Sequence, residues 1–145
     1  MTGTAWLPAC YSLLDTAAAD GLFPACQRRG VAVLAAGVFN SGILADPRPG
    51  AAYDYAPAPP DLLDRAQRIR VVCARYGVPI GAAAIRFVLR HPAVTAVVVG
   101  ARDATEVIED VGHLTAGRAR GIVRREGPTS RRPARQRALR LCFVY

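Results

Sequence analysis

The sequence predicts an α/β fold built on a parallel sheet. Strand-like and helix-like segments alternate through the first 115 residues, which is the pattern of βα units. Two of the strand-like runs, Val31–Val38 and Val94–Val99, are continuously apolar and rich in β-branched residues. Such runs fit strands buried on both faces, as parallel strands are. Only three strand-like runs occur. A three-stranded parallel sheet leaves faces and edges to be covered, so the pattern reads as part of something larger.

The elements follow in order. Leu7–Leu14 is a short apolar run ending at Asp15 and predicts the first strand. Residues 17–29 predict a helix, with Pro24 either kinking it or opening its main part. Gly30 after Arg28-Arg29 is a helix-stop signal. The second strand, Val31–Val38, is broken by Asn40-Ser41-Gly42. A proline-rich loop follows, with Pro47, Pro49, Pro57, Pro59 and Pro60. Asp61 is the expected cap of a helix reaching about Tyr76, with Leu62, Ala66, Ile69 and Cys73 on one face and Gly77 as its stop. Residues 81–90 predict a shorter helix, ended by His91-Pro92 because a residue before proline avoids the α region. Val94–Val99 is the third strand, and Gly100-Ala101-Arg102 turns the chain. Asp103 and Glu106 have capping-box spacing, opening a helix lined by Val107, Val111 and Leu114. After Leu114 the texture changes.

Charge divides the chain at the same place. Residues 1–115 carry ten Arg and ten acidic residues, whereas residues 116–145 carry nine Arg and one Glu, so the formal charge of +8 belongs to the tail. We expect two regions, a folded 1–115 and a disordered Arg-rich 116–145. All 19 basic residues are arginine, and 27 alanines and 13 glycines accompany them, the composition of a GC-rich gene. The four cysteines form no CxxC pair and have no histidine at ligand spacing, which argues against a metal site and for buried reduced thiols. No apolar run approaches the ~20 residues of a membrane span, and the N-terminus has no signal-like pattern. We therefore expect a soluble cytoplasmic protein.

Three segments, Tyr11-Ser-Leu-Leu-Asp15, Gly30-Val-Ala-Val-Leu-Ala-Ala-Gly-Val-Phe-Asn-Ser-Gly-Ile-Leu44 and Val99-Gly-Ala-Arg-Asp-Ala-Thr-Glu-Val-Ile-Glu-Asp110, carry a family resemblance. In order and spacing they resemble the last three strands of the aldo-keto reductase barrel, closest to its aldose 1-dehydrogenase branch, which includes L-fucose and galactose dehydrogenases. The resemblance covers about Leu7 to Leu114. It implies a partial (β/α)8 TIM barrel made of the last three βα units, followed by the disordered basic tail. It also implies an oxidoreductase that moves hydride between NADP or NAD and an aldose or small carbonyl substrate.

The resemblance assigns cofactor-binding places as well. Tyr11 falls where an aromatic residue stacks on the nicotinamide. Asn40, Ser41 and Gly42 fall in the loop that wraps the pyrophosphate. Gly100, Ala101 and Arg102 match the turn at the adenosine end, and Glu106, Glu109 and Asp110 match the helix positions facing adenine and ribose. The chemistry of several positions agrees. Glycine lets backbone approach phosphate closely, a helix N-terminus favours an anion, and the Arg102 fork suits a 2′-phosphate, which favours NADP.

The family's catalytic set is a tyrosine acid/base, a lysine that lowers its pKa, an aspartate and a histidine, all on the first half of the barrel. This sequence contains no lysine, so the set cannot be assembled here and no catalytic residue is assigned. His91 and His113 read as surface or capping residues. The break after Leu114 points to a truncated or frameshifted product ahead of a subunit completed by a separate N-terminal half. Uncovered barrel surface predicts poor solubility or self-association. A rival reading from another class is nucleic-acid binding through the tail arginines. Against it, no aromatic residue is interleaved among them.

Overall fold

The computed structural model describes residues 3–8, 10–115 and 141–144. Its main sheet has four parallel strands, β1 (Thr4–Pro8), β2 (Ala32–Ala36), β5 (Val94–Gly100) and β6 (Leu141–Val144), in the order β1-β2-β5-β6. Helices α1 (Leu22–Arg28), α2 (Pro60–Arg75), α3 (Ile80–Leu89) and α4 (Ala104–Thr115) lie between the strands in sequence. The α/β class and the parallel pairing of the three expected strands are as the sequence predicts. A closed barrel is not formed by these strands.

Several boundaries move. The first strand ends at Pro8, and residues 10–14 form bends rather than its continuation. Ser12 bends the chain there: its hydroxyl accepts from the amides of Leu14 and Asp15, a local competitor to strand pairing. The expected helix over 17–29 divides into a 3-10 turn at Ala17–Ala19 and α1. Pro24 is the third residue of α1, in the turn whose N–H groups have no helical acceptor. Gly30 (φ 64°) and Gly77 (φ 64°) do stop α1 and α2. Each closes its helix with the paired hydrogen bonds of a left-handed C-terminal turn, Val31 N–H to the Cys26 carbonyl and Val78 N–H to the Cys73 carbonyl among them. Asp61 does not cap α2; Pro60 opens it and Asp61 sits within its first turn, where a carboxylate still favours the helix dipole.

Two strand pairs were not expected. Residues Ala52–Tyr53 (β3) and Ala56–Pro57 (β4) form a small antiparallel hairpin inside the proline-rich loop, with Asp54 (φ 50°) and Tyr55 (φ 62°) both left-handed at its tip. The other is β6, which pairs with β5 from Val97↔Leu141 to Gly100↔Val144. This corrects the expectation of disorder through residue 145 for Leu141–Val144. The remainder of the basic tail, 116–140, lies outside the described residues.

The core fills the helix side of the sheet. Val33 and Ala35 of β2 and Val97 and Val99 of β5 pack with Phe23 and Cys26 of α1 and Ile85 and Val88 of α3. A second cluster joins Ile43 and Leu44, after β2, to Ala66 of α2 and Ile80 and Ala84 of α3. Of the expected apolar face of α2, Ala66 and Ile69 pack there, with Leu63 in place of Leu62. On the opposite side of the sheet Trp6 of edge strand β1 is 55% exposed.

Candidate functional site

Because β1, β2 and β5 are parallel, the residues after each strand gather at one end of the sheet. There the chain leaves β2 in an unusual conformation. Asn40 (φ 47°), Ser41 (φ 60°) and Gly42 (φ 106°) are three consecutive left-handed residues. Such backbone persists only where the surroundings hold it. Gly42 has open space where a Cβ would be, so its glycine answers to backbone conformation rather than crowding.

This turn forms one wall of a hollow of about 310 Å³ lined by Pro8, Asp15, Gly37, Asn40, Ser41 and the hairpin tip. The Ser41 hydroxyl accepts from the Tyr55 N–H at 3.0 Å and ties the tip to the turn. Asn40 is only 3% exposed, and its Oδ1 is buried without a hydrogen-bond partner. An orphaned buried acceptor costs about 1–3 kcal/mol. Asp15 adds a carboxylate to the wall, with its Oδ1 accepting from the Ala17 N–H at 2.9 Å.

At the end of β5 Gly100 is exposed; beyond it Ala101 is buried and Arg102 stands in solvent, its side chain 90% exposed. Asp103 caps α4, its Oδ1 accepting from the amides of Thr105 (2.8 Å) and Glu106 (3.0 Å). The reciprocal arm expected of a capping box reaches one residue further back. Glu106 accepts from the Arg102 N–H at 2.7 Å, and the Arg102 guanidinium grips the same carboxylate through Nε (2.8 Å) and Nη2. That grip holds the Glu106 carboxyl below its ordinary range and engages the fork expected to face a phosphate.

Asp110 is 6% exposed. Burial, with the Glu106 and Glu109 carboxylates nearby, pushes its pKa up to about 6. Glu109 lines a separate cleft of about 480 Å³ with Arg70, Gly81 and His113. There the His113 ring packs close over Gly81, where a Cβ would stand only 2.9 Å from its Nε2. Burial lowers the His113 pKa, and the His113 carbonyl accepts from both Nε and Nη2 of Arg86.

Tyr11 is placed elsewhere than expected. It is 8% exposed, stacked on Phe87 at 5.1 Å and met edge-on by Phe23 at 4.8 Å. His91 joins this aromatic cluster, and its Nδ1 accepts from the Ala93 N–H. The chain bends after Pro8, so the Tyr11 ring turns into the core and its faces are occupied. Among the described residues, no group of three His, Cys, Asp or Glu side chains is placed to hold a metal ion.

The aldo/keto reductase family model matches residues 4–116. The chain belongs to the aldo/keto reductase family. Two curated relatives are similar to it. Pyridoxal 4-dehydrogenase of Microbacterium luteolum is 45% identical over 102 residues, covering 70% of this chain and 30% of that protein. D-threo-aldose 1-dehydrogenase of Pseudomonas sp is 44% identical over 92 residues, covering 62% of this chain and 28% of that protein. The chain thus spans less than a third of the length of either relative.

The family's dinucleotide can be tested against the groups present. Its ribose hydroxyls and carboxamide need acceptors; its phosphates need amides or cations. The Asp15 carboxylate lines the hollow after β2, and Asn40, whose unsatisfied Oδ1 is itself buried, forms part of its wall. The turn after β5 offers the exposed Arg102 and the N-terminus of a 12-residue helix. These groups fit. Tyr11 and Asp110 do not: the Tyr11 ring is taken up by Phe87 and Phe23, and Asp110 is buried beside the Glu106 and Glu109 carboxylates. Sequence reasoning passed over Asp15, which ends the first quoted segment, and the hairpin tip, whose signal was the tight Tyr53-Asp54-Tyr55 between alanines.

Proposed function

We propose that this chain supplies the cofactor-holding βα units of an NAD(P)-dependent aldo-keto reductase-like oxidoreductase. The observation that carries the reading is the left-handed Asn40–Gly42 turn, with its orphaned acceptor, at the same end of the sheet as Arg102. Asn40, Ser41 and Asp15 would hold the hydroxyl-bearing part of the dinucleotide. Arg102, once released by Glu106, would meet its phosphate, and a 2′-phosphate would favour NADP. When bound, the dinucleotide supplies the hydride chemistry. The chain's own residues bind and orient it.

The substrate of the complete enzyme would be an aldose or another small carbonyl or alcohol, as the names of the two relatives suggest. The chain alone would not turn it over. The proton-transfer set implied by the family needs a lysine, and the sequence has none. A complementary N-terminal portion of the barrel would have to supply that set.

The test is titration of NADPH and NADH into the purified chain, followed by nicotinamide fluorescence, beside aldose oxidation and carbonyl reduction assays. We expect saturable binding, tighter for NADPH, with no turnover. Turnover by the chain alone would overturn the missing catalytic set. Absence of binding in folded, soluble material would overturn the cofactor-holding role.

A further inference from the structure

The C-terminal strand belongs neither to the cofactor site nor to any element expected from the sequence. Leu141-Cys142-Phe143-Val144 carries no charge and combines apolar, aromatic and β-branched residues, the composition that favours strands and, left unpaired, aggregation. It pairs with β5 over four consecutive positions without a shift, whereas the β2–β5 ladder is irregular between Val33 and Leu34. Without β6, β5 would be the edge of the sheet, and a buried apolar strand with unpaired N–H and C=O groups is a template for other chains.

The intervening sequence fits a segment delivered from a distance. Twenty-five residues, 116–140, separate α4 from Leu141, with nine arginines and one glutamate among them. At most ~3.3 Å per residue, such a connection spans far more than one sheet. Length alone therefore fixes no register for Leu141–Val144 against β5.

We propose that the β5 edge is an acceptor site for a parallel apolar strand, and that the chain's own Leu141–Val144 fills it and so competes with any other strand for that place. In a closed barrel each strand has a neighbour on both sides. Here β6 occupies the side of β5 on which a closed barrel would place another strand, so a complementary half-barrel that paired at β5 would have to displace it. The proposal does not depend on cofactor binding.

Register makes it testable in the full chain. Cys142 is the register partner of Val98. Register partners in neighbouring parallel strands lie about 4.8 Å apart, within the range a disulfide spans. Val98→Cys, oxidised gently under native conditions and mapped by mass spectrometry, should give a 98–142 link in the monomer, at a rate independent of protein concentration. Val99→Cys, one position out of register and on the opposite face, should link to Cys142 at least about tenfold more slowly. Should Val98→Cys not fold, Gly100→Cys with Val144→Cys tests the next register pair but one. A link found only in dimers would assign the β5 edge to a second copy and overturn its filling by the chain's own strand. No link, or equal linking at 98 and 99, would overturn the pairing itself. As a second arm, a labelled peptide of residues 139–145 should bind full-length Phe143→Pro, whose own strand cannot pair, and not the wild-type chain. Equal binding to both would also overturn the proposal.

Discussion

On the proposed reading, cofactor preference turns on Arg102. Its guanidinium is exposed yet held by Glu106 through two hydrogen bonds. An exposed pair of this kind contributes little to stability, so Arg102→Leu should leave the urea midpoint unchanged. The same change should weaken NADPH binding about tenfold and NADH binding far less, as loss of a charge-assisted phosphate contact does. Equal losses for the two cofactors would remove Arg102 from the phosphate. Asp110 makes a different prediction, about pH. Its folded-state pKa is raised to about 6, so the folded state binds this proton more tightly than the unfolded state. The resulting stabilisation is present below about pH 4 and is lost as pH rises through about 6. Asp110→Asn should flatten that part of the stability–pH curve and stabilise the chain at pH 7.5 by of order 1 kcal/mol. An unchanged slope in urea titrations between pH 4 and 7 would refute it.

At the scale of elements, helix ends were the most legible features and short strands the least. Gly30 and Gly77 read as stops and are stops, because left-handed backbone after a helix strongly favours glycine. Gly77→Ala should destabilise by about 1 kcal/mol for that reason. Gly112 differs: it lies within α4, and a Cβ there meets nothing within 4 Å. Gly112→Ala should therefore stabilise by roughly 0.5–1 kcal/mol through helix propensity. Thermal unfolding of the two variants, expected to shift in opposite directions, checks both. The β3–β4 hairpin escaped sequence reasoning because each strand has two residues and Pro57 lies in one of them. At the other end, Leu141–Val144 was passed over because four apolar residues after an arginine-rich stretch have no period to reveal.

For the whole molecule, the described sheet has two edges. β6 pairs with β5 and is itself the strand at one end, while β1 is the strand at the other. Trp6, 55% exposed on that edge strand, adds apolar surface. We predict concentration-dependent self-association through this edge, reduced by Trp6→Lys, which places a charge of the kind natural edge strands carry. Sedimentation velocity across a range of protein concentrations would show the shift to monomer; identical profiles for the two proteins would place the contact elsewhere.

The sequence by itself determined the class of the fold, the order and parallel sense of three strands, the helix stops and the family. Each rests on a local or periodic signal: continuous apolar runs, glycine after a helix, or ordered motifs within residues 4–116. Only the tertiary structure decided which candidate side chains face outward. Tyr11, Asn40, Arg102 and Asp110 all lie in the family motifs, yet packing buries Tyr11, Asn40 and Asp110, leaves the Asn40 Oδ1 unsatisfied and leaves Arg102 in solvent. It alone joined Leu141–Val144 to β5, across a separation in sequence that no local pattern spans.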